Sequence, residues 1–168
     1  ILFGCFAVLQ AYSQSDAGSQ KPNIVLFLVD DMGWRDSSAF GSTYYETPEM
    51  ERLARESMVF THAYAHPLCS PCRASILSGQ HSARHGILTA SGHIAPAKQG
   101  ASPYKKHNPN SRWTMPQSKN YLDPGIENLA EILAKAGYQT GHYGKWHIGL
   151  TLPHRPEGQG FHKSWQAA

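Results

Sequence analysis

The segment from Asn23 to Asp31 reads "NIVLFLVDD" and indicates the fold class of the chain. Residues 23–29 are nearly all apolar, include Val and Ile, and are followed directly by two aspartates. A short apolar run of this kind is typical of a strand that is buried on both faces, as in a parallel sheet. The segment therefore predicts a buried parallel strand that ends in two carboxylates.

Helix and strand patterns alternate along the rest of the chain. Thr47 followed by Pro48 predicts a helix start, because Thr is a good N-cap and Pro suits the first helical position. The later elements are a strand over residues 58–65, a helix that opens at Asp123-Pro124 and ends at Gly137, and a strand over residues 138–143. The order strand, helix, strand, helix, strand indicates an α/β domain built on a parallel sheet.

The composition indicates one globular domain and excludes some classes of partner. Of the 168 residues, 40% are hydrophobic and 16% are charged, so the chain can bury a core. The net charge of +3 and the lack of a Lys and Arg run give no indication of nucleic-acid binding.

The first residues resemble the end of a signal peptide. The opening "ILFGCFAVLQAYSQ" is an apolar run followed by small and polar residues, and Ala11-Tyr12-Ser13 resembles a cleavage site. An apolar run of roughly nine residues is too short for a stable membrane span. Leu2 to Cys5 also fits a lipidation box, but the apolar run continues beyond it, so a lipid anchor is less favoured. We predict a periplasmic or extracellular protein, with residues 1–20 as leader remnant and linker.

Asp30 and Asp31 lie where ligands collect in α/β proteins, at the carboxyl end of a predicted strand. Two adjacent carboxylates repel each other by roughly a few kcal/mol unless a cation lies between them. Oxygen ligands favour a hard ion, so the pair is a candidate site for calcium or magnesium. By itself, such a pair more often consists of one Asp that caps a turn and one that is solvated.

Cys69 and Cys72 form a C-x-x-C pair that fits more than one chemistry. With His81 and His85 they give C-x2-C-x8-H-x3-H, but a zinc finger needs about twelve residues between its Cys and His pairs. A redox pair at a helix start is a second interpretation, although no thioredoxin-like pattern surrounds it. Neither explanation accounts for Arg73, which follows the pair directly.

Four ordered motifs together resemble the sulfatase family, from about Lys21 to Gly149. "CSPCRASILSG" resembles the signature C-x-P-x-R followed by Ser or Thr and Gly, and "PNIVLFLVDDMGW" resembles the opening strand with its metal pair. "TPEMERLARESMVFTHAYA" resembles the first helix and next strand, and "GYQTGHYGKWHIG" the second signature. Only the stretch between Gly86 and Asp123 is unmatched. It has no clear period, which is typical of a functional insertion or a disordered loop.

The resemblance implies a formylglycine-dependent sulfuric ester hydrolase with the alkaline-phosphatase-like fold, a mixed and largely parallel sheet flanked by helices. It implies that Cys69 is oxidised to formylglycine by a generating enzyme that reads C-x-P-x-R, whereas Cys72 is an ordinary neighbour. Asp30, Asp31 and the modified Cys69 would hold calcium, or magnesium in its place.

Three further residues take roles from the matched motifs. Arg73 would pair with the hydrated aldehyde and the metal carboxylates, Lys145 would bind a sulfate oxygen, and His147 would assist proton transfer. The other histidines that we consider, expected to be structural or on the surface, are His62, His66, His81, His85 and His142.

The chain also departs from the family pattern. Relatives are much longer, so residues 21–168 are expected to be the N-terminal part of the catalytic domain, inactive by itself and lacking further metal ligands, a His and a Lys. Gly160-Phe161-His162 replaces the usual Gly-Phe-Asp, which puts the end of the sequence in doubt. The substrate is expected to be a sulfate ester, with a sulfated glycan suggested by export. Alternatives are a phosphate or phosphonate monoester hydrolase of the same superfamily, or a non-enzymatic Cys/His metal or redox module.

Overall fold

The structure is a computed structural model that describes residues 21–96, 102, 105–106, 108–114 and 116–166. These residues form two compact units, one up to Ala65 and one from His66 onward. The predicted leader, residues 1–20, lies outside the described residues. Within the part of the chain that the structure describes, no helix is long and apolar enough to span a bilayer.

The first unit contains a short 3₁₀-helix, Ser38–Phe40, and helix α1, Pro48–Glu56. The helix start predicted from Pro48 is confirmed, because Pro48 occupies the first turn, where its missing N–H costs nothing. Thr47 is the N-cap residue but does not cap with its side chain. Its hydroxyl instead accepts the Ser38 N–H at 2.9 Å and lies 2.8 Å from Ser37 Oγ, which ties the 3₁₀-helix to the start of α1.

The strands predicted over residues 23–29 and 58–65 are not formed in the structure. Their apolar side chains are exposed, with Phe27 at 75% and Met58 at 71% of full accessibility. A strand exists only through hydrogen bonds to a neighbour, and the described residues offer these two segments no ladder. An apolar pattern within one segment predicts burial, but it cannot supply the partner strands that would bury it.

The second unit contains the remaining helices and a small parallel sheet. Its elements are α2 (Cys69–Ser78), α3 (Ser82–His85), α4 (Leu129–Lys135), β1 (Gly141–Tyr143), a 3₁₀-helix (Pro156–Gly158) and β2 (Lys163–Trp165). Strands β1 and β2 are parallel, with Gly141 opposite Lys163 and Tyr143 opposite Trp165. The strand predicted over residues 138–143 is therefore confirmed, and its neighbour β2 was not anticipated.

Five buried apolar residues of the second unit form one cluster, to which α2 contributes Ala74. It consists of Ala74, Ile87, Leu122, Trp146 and Ile148, with Leu77, Ile126 and Phe161 packed around it. Fully burying a side chain such as Ile148 stabilises the fold by about 1.5–3 kcal/mol. Because Trp146 and Ile148 lie in this core, the alternate residues Lys145 and His147 are held close to α2.

Helix α4 begins five residues later than Asp123-Pro124 predicted. Asn128 is its N-cap and forms a capping box, accepting the N–H groups of Ala130 and Glu131 while Glu131 accepts the Asn128 N–H. Asp123 instead closes a turn, in which its Oδ1 accepts the Gly125 N–H at 3.0 Å. The predicted end is confirmed, because Gly137 has a φ of +85°, a conformation that favours glycine.

Replacing Asn128 should therefore destabilise the protein more than replacing Asp123. Asn128→Ala removes the cap and leaves the buried Gln159 amide without the Asn128 side chain, so we expect a loss of about 1–2 kcal/mol in the free energy of unfolding. Asp123→Ala removes an exposed turn contact and should cost less than about 0.5 kcal/mol. Equilibrium urea unfolding of both variants measures the difference. Equal or reversed losses would contradict the assignment of the cap.

Candidate active site

Cys69 is the first residue of α2. The preceding residue, Leu68, is extended and provides no side-chain cap. The first N–H groups of a helix have no partner within the helix, so they favour an anion near the side chain of residue 69. Cys69, which is half-buried, and Cys72, which is buried, are not joined by a disulfide.

His147 lies against Cys69, although 78 residues separate them in sequence. Its Nδ1 atom is 3.1 Å from the Cys69 sulfur. His147 has a φ of +60°, in the left-handed region, which costs a residue with a side chain on the order of 1–3 kcal/mol. Its carbonyl oxygen accepts the Ser70 hydroxyl at 2.6 Å, a contact that helps to offset this cost.

Gly92 packs directly against the backbone of His147 and Ile148. Its N–H donates to Ser70 Oγ at 3.2 Å, and it pairs in parallel with Ile148 through an isolated bridge. A Cβ atom at position 92 would lie 1.6 Å from the His147 carbonyl oxygen. Only glycine allows the two backbones to approach this closely.

Arg73 links α2 to the segment that precedes His147. It lies one helical turn after Cys69, and its Nη1 donates to the backbone carbonyl of Lys145 at 2.5 Å. A hydrogen bond from a charged donor is worth about 1.5–3 kcal/mol, so this contact fixes the chain at residue 145 firmly. The structure thus brings together Cys69, Arg73, His147 and the backbone of Lys145, all four residues being predicted from the sequence.

His142 and His85 have structural surroundings. Burial lowers the pKa of His142, the positive charge of Arg73 lowers it further, and its ring contacts Trp146 edge to face. Burial also lowers the pKa of His85, whose Nδ1 accepts the Ile87 N–H. Both imidazoles are therefore held neutral within the packing of the second unit.

Asp30 and Asp31 are exposed residues of a turn in the first unit, and Asp31 has a φ of +56°. Their carboxylates are the kind of donor that calcium and magnesium prefer. Two residues cannot supply the six or more oxygens of such a site, and among the described residues no three His, Cys, Asp or Glu side chains form a metal-binding group. Their role as metal ligands remains a prediction.

His93 is a member of the cluster that the sequence did not indicate. Its Nδ1 lies 2.8 Å from Nε2 of His147, on the side of that ring opposite Cys69. It belongs to the stretch between Gly86 and Asp123, which had neither a period nor a matching motif. The preceding glycine, Gly92, was the one local signal of a close backbone approach.

Comparisons with known proteins identify the family of the chain. The family model described as "Sulfatase" matches residues 22–167. A "Sulfatase" of Formosa agariphila is 37% identical over 157 residues, which cover 88% of this chain and 27% of that protein. The N-acetylgalactosamine-6-sulfatase of Rattus norvegicus is 40% identical over 154 residues, 89% of this chain and 25% of that protein.

A solved structure, "Crystal structure of Ps i-CgsB in complex with k-i-k-neocarrahexaose", superposes with a TM-score of 0.61 at 25% identity. The match covers 82% of this chain and 26% of that one. The chain belongs to the sulfatase family. The predicted α/β fold class is confirmed by these neighbours and by the small parallel sheet with its helices. The chain spans about a quarter of the length of the relatives that it matches.

Alanine at position 92 should be far more damaging than alanine at another glycine of the same unit. The Gly92→Ala side chain would overlap the His147 carbonyl, and relief requires separating two backbones, so we expect a loss of about 3 kcal/mol or more. Gly79 is the matched control, because it has a φ of +64° but a Cβ atom there would have no neighbour within 4 Å, so Gly79→Ala should cost about 1–2 kcal/mol. Urea unfolding compares them. Similar losses of unfolding free energy in the two variants would show that the backbone at Gly92 can move away from His147 at little cost.

Proposed function

We propose that the full-length protein hydrolyses sulfate monoesters, with residue 69 as the nucleophile after conversion of Cys69 to formylglycine. The observation that carries this proposal is the 3.1 Å contact between Cys69 Sγ and His147 Nδ1 at the start of α2. It places the residue of the C-x-P-x-R signature beside an imidazole, as a nucleophile that must exchange protons requires. Membership of the sulfatase family supports the same conclusion.

Formylglycine would supply a hydrated aldehyde, in which one hydroxyl displaces the alcohol from sulfur and the other, on losing its proton, releases sulfate. The side chain of residue 69 is well placed for this chemistry. It lies at the N-terminus of the ten-residue helix α2, whose dipole favours a negative group by roughly 0.3–1 kcal/mol. The helix end therefore helps to bind the sulfate group against residue 69.

His147 would exchange the proton at residue 69. Its Nδ1 already lies within contact distance of the side-chain atom that the aldehyde oxygens would replace. A positioned imidazole of this kind contributes typically 10²–10⁴-fold to a reaction rate. The Ser70 hydroxyl holds the His147 backbone by donating to its carbonyl, and the same hydroxyl accepts the Gly92 N–H.

Lys145 and Arg73 would supply positive charge next to the bound sulfate. The guanidinium of Arg73 holds the Lys145 carbonyl, so the backbone from which the Lys145 side chain extends is fixed relative to α2. The metal that sulfatases carry would be held here in part by Asp30 and Asp31 and would polarise sulfate oxygens. Among the described residues, no group of three His, Cys, Asp or Glu side chains completes a site for this metal.

The substrate is proposed to be a sulfated carbohydrate outside the cytoplasm. Two similar proteins support this class, one named N-acetylgalactosamine-6-sulfatase and one solved in complex with neocarrahexaose. The leader-like opening of the sequence supports export. The formylglycine-generating enzyme is the proposed partner, since C-x-P-x-R is present as Cys69, Pro71 and Arg73.

Co-expression with a formylglycine-generating enzyme should convert Cys69 and leave Cys72 as a thiol. Tryptic cleavage yields residues 56–73, which contain both cysteines, and fragmentation of this peptide locates the change. We expect the mass at position 69 to change from thiol to aldehyde, with an alkylating reagent adding only at Cys72 after denaturation. Protein made without the generating enzyme is the control. Two alkylatable cysteines, or a disulfide between them, in the co-expressed protein would contradict the proposal.

In the full-length enzyme, Cys69→Ser should react once and then stall. A serine hydroxyl can attack the sulfate ester, but the product has no second hydroxyl on the same carbon to expel the sulfate. Cys72→Ser, the matched control, should turn over normally after conversion of Cys69. Lys145→Ala should slow the first step by about 10²-fold or more, and His147→Ala by about 10²–10⁴-fold.

Single-turnover and steady-state assays with a chromogenic sulfate ester, repeated with the matching phosphate ester, measure these effects. Continued turnover by unconverted Cys69→Ser enzyme would exclude the aldehyde mechanism. Faster hydrolysis of the phosphate ester by the wild type would favour the phosphate hydrolase alternative.

A further inference from the structure

A second histidine lies directly behind the imidazole that contacts Cys69. His93 Nδ1 is 2.8 Å from His147 Nε2, and His147 Nδ1 is 3.1 Å from Cys69 Sγ. The three side chains therefore form one continuous line of polar contacts from residue 69 to residue 93. Both nitrogens of the His147 ring are engaged in it.

The geometry of the two rings is that of a hydrogen bond and not of face-to-face packing. Their centroids are 5.0 Å apart and their planes differ by 25°. A centroid separation this much larger than the 2.8 Å nitrogen contact places the rings edge to edge. A nitrogen pair at this distance needs one N–H and one lone pair, so the hydrogen bond couples the tautomers of the two histidines.

The backbone places His93 there independently of its side chain. His93 lies in a turn closed by the hydrogen bond from Ile94 N–H to the Ser91 carbonyl, 2.9 Å long. The adjacent Gly92 is bonded to Ser70 and paired with Ile148, and its carbonyl accepts the Gly149 N–H. These hydrogen bonds connect the turn to the same backbone segment that carries His147. Because none of them involves the His93 side chain, removing that side chain would leave them in place.

We propose that His93 is a positioning residue that accepts the Nε2–H of His147 and so keeps the lone pair of His147 Nδ1 directed at residue 69. This inference rests on the proposed function, in which Nδ1 accepts a proton from a hydroxyl at residue 69. When it does so, the Nε2–H stays on His147, still donated to the lone pair of His93 Nδ1, and the positive charge forms on a ring that is already hydrogen-bonded. His93 plays the part that a carboxylate plays behind the histidine of a hydrolase triad.

Without His93, the His147 ring loses the partner that defines which nitrogen faces residue 69. A neutral imidazole can carry its proton on either nitrogen, and the hydrogen bond at one nitrogen decides the state of the other. For a histidine that binds a metal, removing the hydrogen-bond partner of its second nitrogen typically costs 10–100-fold in affinity or activity, and the same orienting effect applies to His147. We expect a loss of about this size in kcat for His93→Ala, with KM nearly unchanged, because the helix end and Lys145 still bind the substrate.

The test uses the full-length, formylglycine-containing enzyme with four single variants, His93→Ala, His93→Asn, His147→Ala and His62→Ala, and one double variant that combines His93→Ala with His147→Ala. His93→Asn retains an acceptor near the position of Nδ1 and should recover most of the lost kcat. In the His147→Ala background, His93→Ala should have no further effect, because the two residues act as a unit. His62→Ala, which removes another exposed histidine, is the control and should behave as wild type.

A second readout does not depend on activity. In full-length protein labelled with ¹⁵N at histidine, NMR at neutral pH should show His147 protonated at Nε2 in the wild type and as a mixture of tautomers in His93→Ala. If His93→Ala changes only KM, if it lowers kcat equally with and without His147, or if the His147 tautomer is unaffected, the proposal is overturned. Failure of the wild type to cleave sulfate esters would refute the proposed function, whereas the NMR result would still decide the role of His93 toward His147.

Discussion

The hydroxyl group of Ser70 is the contact on which the arrangement of the site depends. It donates to the carbonyl of His147 and accepts the N–H of Gly92, and Ser70 is fully buried. One atom thereby joins three segments that are distant in sequence: the start of helix α2, the turn of residues 91–94 and the segment after β1. Because these segments carry Cys69, His93 and His147, their side chains meet at a place fixed by the backbone.

The contacts around His147 are strong enough to offset the cost of its left-handed backbone conformation. The left-handed conformation of His147 costs on the order of 1–3 kcal/mol. The Ser70 hydrogen bond contributes about 0.5–1.5 kcal/mol, and the charged bond from Arg73 to the Lys145 carbonyl about 1.5–3 kcal/mol. Burial of Trp146 and Ile148 on either side of His147 adds more than either bond. The packing around residues 145–148 therefore outweighs the cost of bending the chain toward Cys69.

The sequence predicted best where a local signal was sufficient. Pro48 located a helix start and Gly137 a helix end, because each acts through its own backbone conformation. Cys69, Arg73, Lys145 and His147 were predicted from the resemblance to the sulfatase family, and the structure places Cys69 against His147 and Arg73 against the Lys145 carbonyl, while their roles stay predictions. The helix start predicted at Asp123-Pro124 is wrong, because Asn128 with Glu131 three residues later forms the capping box, a signal that the sequence itself carries. Residues 23–29 required partner strands and His93 required a tertiary contact, so neither outcome could be derived from its own segment.

The contact between Cys69 and His147 also sets an order of events during synthesis. The two residues are 78 positions apart, which corresponds to a delay of roughly 4–16 s at ~5–20 residues per second. Throughout that interval Cys69 has left the ribosome and its later neighbour does not yet exist. A modifying enzyme that recognises a short linear sequence would have free access to the thiol then, and would lose it once Ser70 closes on His147. If residue 69 is modified as proposed, the time available for that modification is set by the length of chain between the two residues, and a slower ribosome would extend it.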